Sequence, residues 1–178
     1  MSFTERDFRN ALGLFPTGVA IVTTMAPDGE PVGATVSSFN SVSLSPPLVL
    51  FSVARASSRF AVWNQARHYA VNLLRENQNK LSTDFARSAE DKWLGHIPSK
   101  GQGATVLLAD ALAHFECESY ARYDGGDHLI LVGRVTAFSI PAPTATRPLV
   151  FFRGRYRQLD PDQVIESPPE LTYLLHGW

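Results

Sequence analysis

The stretch Leu129-Ile-Leu-Val-Gly-Arg-Val135 is apolar on both parities, apart from Gly133 and Arg134. Successive side chains of a strand point to opposite faces, so this one is covered on both sides, as inside a barrel or at a subunit interface. Other short runs surround it. Val19–Met25 is β-branched and apolar, and residues 32–39, 48–53 and 69–74 also read as strands. Ala113, Phe115 and Cys117 alternate with His114, Glu116 and Glu118, which predicts a half-buried strand with an acidic outer face. Leu149–Leu159 reads as a final strand, or as two broken at Gly154. Pro27-Asp-Gly-Glu-Pro31 marks a hairpin connection.

Helical signals are fewer. Thr4 with Asp7 three residues on predicts an N-terminus, and Phe8, Ala11, Leu12 and Phe15 recur at helical spacing over residues 5–14. Ser57-Ser58 offers an N-cap for a short helix, Arg59–Ala66. Residues 77–88 read as a third helix, with Leu81 and Phe85 one turn apart. Residues 93–103 are irregular and 139–147 form a loop. Some seven short strands with three helices predict a mainly β fold of α+β character: a β-barrel with peripheral helices. At 178 residues the chain is expected to form one domain, with its core over about 8–159. Residues 160–178 are a Pro-rich tail, expected on the surface or against a partner subunit.

The charge balance narrows the function classes. Net charge is −1, from 16 basic and 17 acidic residues, which argues against nucleic-acid or membrane-surface partners held by bulk charge. No apolar run approaches the roughly 20 residues that span a bilayer. The first residues carry no signal-peptide pattern, and the lone Cys117 has no disulfide partner. Both fit a cytoplasmic protein. Neither G-x-G-x-x-G nor G-x-x-x-x-G-K-[ST] occurs, and the five histidines are scattered, with no pair at metal-ligand spacing. If the chain is an enzyme, a bound organic cofactor supplies the chemistry.

The candidate site lies mainly in Gly33–Val53. Thr35, Ser37, Ser38, Asn40 and Ser41 fall in an uncharged run between two strands. Hydroxyls and backbone N–H groups there, with those of Val36, suit a flat neutral ligand rich in polar edge atoms, and neutral donors favour its reduced, more negative form. The same serines also suit local turns that satisfy their own backbone. Ser57 and Ser58, at a helix start, suit a phosphate, with Arg55 and Lys92 as added cations; plain capping explains the serines equally, and a solvated charge explains Lys92. Gly125-Gly-Asp-His128 lets the backbone approach a ligand closely. Arg153, Arg155 and Arg157 share one parity and predict a positive stripe for dinucleotide phosphates, or an edge strand guarded by charge. Tyr156, on the other parity, could border a ring. Glu116 and Glu118 are read as an exposed face without acid–base work.

Phe8-Arg-Asn-Ala-Leu12, Phe15-Pro-Thr-Gly-Val19, Val22-Thr-Thr24, the whole of 33–53, Tyr69-Ala-Val-Asn-Leu73, Gly126-Asp-His128, Gly133-Arg-Val135 and Phe151-Phe-Arg-Gly-Arg-Tyr156 together resemble the short-chain NAD(P)H:flavin oxidoreductases. These are the flavin reductase components of two-component monooxygenases. The resemblance implies an FMN-binding split barrel of Greek-key type, a homodimer, and flavin near the dimer interface. It implies that Ser52, Val53, Ala54, Arg55, Ser57, Ser58 and Lys92 line the ribityl phosphate and that His128 lies near the nicotinamide. Trp93 stands where the family more often has Phe. The implied activity is hydride transfer from NADH or NADPH to FMN or FAD, with the reduced flavin passed to a separate oxygenase. Two alternatives stay open on the residues: a non-catalytic flavin carrier, and a split-barrel oxidoreductase whose permanently bound FMN serves another substrate.

Overall fold

The computed structural model describes residues 3–87, 92–96, 98–102, 105–141, 146–160 and 162–163. The elements run α1 (Glu5–Leu12), β1 (Thr17–Gly18), β2 (Ala20–Met25), β3 (Pro31–Val36), β4 (Asn40–Leu44), β5 (Pro47–Ala54), α2 (Phe60–Gln65), β6 (His68–Leu73), α3 (Asn79–Ala86), β7 (Ser99–Lys100), β8 (Val106–Leu107), β9 (Ala113–Gly125), β10 (His128–Ser139), β11 (Val150–Phe152) and β12 (Arg155–Arg157). Seven of them form one antiparallel sheet in the order β3-β2-β6-β9-β10-β5-β4. Its first and last strands, β3 and β4, are consecutive in the chain and joined only by Ser37, Ser38 and Phe39. A sheet whose two edges are tied by three residues has to curl on itself. The expected β-barrel with peripheral helices is the result, and the β2–β6 and β5–β10 neighbours are its Greek-key crossovers.

One side chain closes the seam. The Ser38 hydroxyl accepts the Ser52 N–H at 2.9 Å and donates to the Ser52 carbonyl at 3.4 Å. It takes the place of a ladder partner where β3 gives way to β4. The β4 strand was not expected from the sequence, because its serines and asparagine read as a loop. It survives as an exposed edge, bulged between Ser41 and Ser43.

Two cores explain the apolar patterning. Even-numbered residues of β2, Ala20 and Val22, point into the barrel with Phe51, Tyr69, Val71, Cys117 and Leu131. Odd-numbered Val19 and Ile21 point outward and pack with Leu74, Phe85, Leu108 and Leu149. The outer cluster is capped by α3, whose Leu81 and Phe85 face it as the one-turn spacing predicts. Burial on both faces is what a run such as Val19–Val22 encodes.

Two polar or missing side chains in the strands have structural causes. Asn72, fully buried, donates to the Ile21 carbonyl at 2.9 Å and to Thr23 Oγ1 at 3.1 Å, and accepts the Leu108 N–H at 2.9 Å. Thr23 donates onward to the Val106 carbonyl. This network holds the β8 segment against the barrel. Gly133 lies under the Tyr69 ring: a Cβ there would sit 2.7 Å from Tyr69 Cε2 and 2.9 Å from Cys117 Cβ. Tyr69 is held edge-on by Phe51 at 5.1 Å, so it has little room to move. Cys117, also buried, has its thiol pushed up to about 12, chiefly by desolvation, and is no nucleophile at neutral pH.

Three expectations are corrected. The outer face of β9 is not open acid: His114 and Glu116 are both 8% exposed, and Thr105 donates to the Glu116 carboxylate from the segment that covers it. Only Glu118 is exposed. Ser57 and Ser58 do not cap a helix at 59; α2 begins at Phe60, after Arg59, with no side-chain cap. Arg153 is not on a strand. With Gly154 it forms the tip of the β11–β12 hairpin, both at positive φ (50° and 72°), as a two-residue hairpin turn demands. The predicted capping box is present, Thr4 and Asp7 bonding reciprocally, but none of the apolar face of α1 is buried. The tail assigned to 160–178 lies almost wholly outside the described residues.

Replacing Asn72 by Ala strands the Leu108 N–H in a dry interior and removes the donor to the Ile21 carbonyl and to Thr23 Oγ1, whose own bond to the Val106 carbonyl remains. The expected cost is about 2–4 kcal/mol, read as a lower urea midpoint at unchanged m-value. A shift under about 0.5 kcal/mol would contradict the network's assigned weight.

Candidate functional site

The seam opens onto a groove of about 700 Å³. One wall is the β3–β4 link with Thr35, Val36, Ser37 and Ser38. Beside it, joined through the Ser38–Ser52 bonds, runs the end of β5, Ser52, Val53 and Ala54, with Ser57 and Ser58 beyond. His128 and Ile130 of β10 close one side. Phe85, Arg87 and Lys92 close another. Thus the expected segments 35–38, 52–54 and 57–58 meet Lys92 and His128 across one concavity, although up to about 90 residues of chain separate them.

The hydroxyls of this wall are not equivalent. Thr35 donates to the Ser82 carbonyl at 2.6 Å, tying β3 to α3. Ser38 is committed to the Ser52 seam. Neither hydroxyl is free to follow a ligand. Ser37, exposed on the link, has its hydroxyl available, and the backbone groups of 36–38 are held still by the bonds on either side. The wall is a rigid, uncharged edge of donors and acceptors, which requires little reorganisation on binding.

The groove also carries charge. Arg59, Arg87 and Lys92 line the groove, and no carboxylate does among the described residues. Lys92 Nζ donates to the Gly33 carbonyl at 3.1 Å and lies 5.9 Å from the centre of the Phe85 ring. Burial first, and then the Arg59 charge, hold its ammonium below the ordinary lysine pKa. Arg59 is bound on one side to Glu30 at 3.0 Å. At the third side, His128 Nδ1 lies 2.7 Å from Asp127 Oδ1. That bond, and the imidazole charge, hold the Asp127 carboxyl below the usual range. A neutral ring donating Nδ1–H to Asp127 keeps its lone pair on Nε2.

Five expected residues stand outside this groove, each for a visible reason. Asn40 and Ser41 lie on the exposed β4 edge, where Asn40 Oδ1 accepts the Ser41 N–H. Arg55 clamps the β9–β10 turn: Nε donates to the Gly126 carbonyl at 2.9 Å, and a terminal nitrogen pairs with Asp124 at 3.3 Å. Tyr156 packs in the outer core, edge-on to Phe151, and donates to Ser82 Oγ at 2.9 Å. Arg153 lines a second groove, of about 670 Å³, with Arg9, Phe15 and Phe151; Ser37 belongs to both.

Apart from Arg59, other residues of the groove carry no site signal in the sequence. Trp63 and Phe85 are fully buried core residues that also line the groove, and Ile130 is half-buried. Arg59 directly follows the serine pair and was readable as a phosphate partner. Arg87 has no sequence signal, since its place is set by where α3 ends.

The sequence matches the family described as flavin reductase like domain over residues 12–160. It is 47% identical over 133 residues to the FMN reductase (NADH) SmoA of Agrobacterium fabrum, covering 74% of each chain. It is 39% identical over 154 residues to the stachydrine N-demethylase reductase subunit Stc3 of Rhizobium meliloti, covering 86% of this chain and 66% of that one. It spans about half the length of another curated relative, at 48%. Among solved structures, the NADH:FAD oxidoreductase SgcE6 of Streptomyces globisporus C-1027, in complex with NAD and FAD fragments, superposes with a TM-score of 0.81 at 34% identity, over 91% of this chain and 99% of that one.

Because folding lowers the Lys92 pKa, its protonated form disfavours the fold; that penalty is complete below the lowered value and fades as pH rises from it to the unfolded value of 10.5. An anion beside it reverses the sign. Adding inorganic phosphate is expected to move the Lys92 titration, followed by NMR of 13C-methylated lysines, upward toward 10.5. A titration indifferent to phosphate would contradict an anion site here.

Proposed function

The chain belongs to the flavin reductase-like family, and from that premise we propose that it is an NAD(P)H-dependent flavin reductase. The observation that carries the reading is the mixed lining of the groove: a neutral edge of donors and acceptors at the β3–β4 link, and three cations with no carboxylate among the described residues. A flavin mononucleotide has the same division, an uncharged tricycle and a terminal anion. Bound flavin supplies the redox chemistry, accepting a hydride from the dihydronicotinamide.

The protein's own residues position and polarise. Backbone groups of Val36, Ser37 and Ser38, held by the Thr35 and Ser38 bonds, present donors to the edge where negative charge grows on reduction. Val53, Ala54 and Ile130 give the tricycle apolar contact and exclude water. His128, oriented by Asp127, borders the remaining open side and places the nicotinamide. Bringing the two rings to about 3–3.5 Å is the catalytic contribution, and no side chain is needed as acid, base or nucleophile. Arg9 and Arg153, across Ser37, are the cations within reach of the rest of the dinucleotide.

Reductase components of two-component systems hand their product on, and relatives carry such names. We extend the proposal to a separate oxygenase as the acceptor of reduced flavin, and to the cytoplasm, where the nicotinamide pool is found. We also propose a homodimer. Phe8, Leu12 and Phe15 beside α1, and Phe138 and Ile140 at the end of β10, are between 53% and 74% exposed, more apolar surface than a monomer leaves bare without use. Sedimentation equilibrium is expected to give twice the 19.6 kDa chain mass; a monomer at micromolar concentration would contradict the dimer.

Purified protein is expected to oxidise NADH or NADPH only with added FMN or FAD, and saturably. A yellow but inert protein would instead be a carrier, and turnover independent of added flavin would mean a resident cofactor. His128→Ala is expected to raise KM for the nicotinamide substrate about tenfold or more and to change the flavin KM little, consistent with a lost hydrogen bond to bound substrate. The opposite split would move His128 to the flavin.

A further inference from the structure

We propose that the second groove is the seat of this chain's own C-terminal segment, residues 164–178, and that a seated tail narrows the way into the site across Ser37. The seat stands independently of the flavin reading; only its effect on turnover rests on that reading.

The groove, of about 670 Å³, combines two chemistries. Leu12, Leu14 and Phe15 line it and are between 56% and 74% exposed, with Phe151 half-buried among the lining. Apolar surface gathered in this way marks an interaction site. Arg9 and Arg153 line it too, and among the described residues neither pairs with a carboxylate. The walls are held in place, since the Arg153 N–H donates to the Gly13 carbonyl at 2.9 Å and ties the hairpin tip to the end of α1. Little ordering of the groove is then needed on binding.

The tail carries the complementary chemistry. Leu171, Tyr173, Leu174, Leu175 and Trp178 fall close together, and Glu166 and Glu170 precede them. Residues 164–178 contain no lysine or arginine. Their charge is opposite to that of the groove, and of Arg155 and Arg157, exposed on the strand from which the tail departs. Apolar burial supplies affinity, and the charges select the partner.

The tail also starts close by. Gly154 lines the groove, and Gln163, the last described residue, lies nine positions further on. Nine residues extend at most about 30 Å, and the fifteen beyond them about 50 Å, so the apolar end of the tail reaches back to the groove. A short tether holds a segment at an effective concentration of about millimolar, an advantage that a separate molecule lacks. Leu12 and Phe15 meet the tail on the groove side; Phe8, Phe138 and Ile140, outside the lining, are left to the dimer contact. Ser37 belongs to both grooves, and Arg9 and Arg153 are the cations assigned above to the rest of the dinucleotide. Tail and dinucleotide therefore exclude one another there.

Disulfide capture in the intact chain tests the seat. Leu14→Cys is combined with Leu174→Cys. The control combines Leu174→Cys with Leu94→Cys, at a position outside the groove and 76% exposed. Cys117 is buried and does not compete. Circular dichroism checks folding, and Leu12→Cys replaces Leu14→Cys should that variant misfold. Under mild oxidation, read by non-reducing electrophoresis and mass spectrometry, the groove pair is expected to close within one chain about tenfold faster than the control. Adding Glu166→Lys and Glu170→Lys is expected to slow closure about threefold, as two exposed ion pairs allow. Equal rates for the two pairs overturn the seat, and so does a link that forms only between chains. In turnover, Leu174→Asp with Trp178→Asp is expected to lower the KM for NADH about threefold and to leave the flavin KM alone. An unchanged KM for NADH overturns the exclusion of the dinucleotide. A chain that oxidises no NADH with either flavin overturns the reductase reading and leaves the capture result standing.

Discussion

The Ser37–Phe39 link is the constraint on which the rest depends. It ties the two outermost strands of a seven-stranded sheet, so the sheet cannot lie open. Closure then needs a partner for the backbone of β5 where β4 has not yet begun. The Ser38 hydroxyl is that partner, both accepting from and donating to Ser52. The groove forms at this join because the ladder is incomplete there.

Charge and rigidity at the groove come from different elements. The seam supplies order without charge, through Thr35 and Ser38. The cations come from elements that only pack around it: the loop before α2, the end of α3 and the turn that carries Lys92. Phe85 serves both parts. It sits in the outer core, lies under the Lys92 ammonium, and leaves no space for a side chain at Gly33, where a Cβ would come within 2.6 Å of its ring. Gly33 is thus glycine so that the cationic end can lean on β3.

Much of this architecture was legible in the sequence because strand burial leaves a period-two trace. The Leu129–Val135 run announced a strand covered on both faces, and the 77–88 spacing placed Leu81 and Phe85 on one helix face. Local chemistry was legible too, as in the Thr4 and Asp7 capping box. What pattern does not carry is tertiary partnership. Asn40 and Ser41 have the composition of the groove wall but lie past the seam, on an edge. Arg55 neighbours the groove in sequence and is captured by the β9–β10 turn. Glu116 looks exposed by alternation and is covered by a segment from before β9. The parity assigned to Arg153 failed because a two-residue turn at Arg153-Gly154 splits the run into two strands. Arg87 shows the limit in the other direction, since a charge at a helix end carries no mark of what it faces.

The measurement that bears most directly on the whole account is a crystal structure of the protein with FMN. The account places the tricycle between the Val36–Ser38 link and the Val53–Ala54 end of β5, with the phosphate among Arg59, Arg87 and Lys92. Density for FMN elsewhere, above all in the second groove beside Phe15 and Phe151, with the seam groove filled by the chain itself, would contradict it.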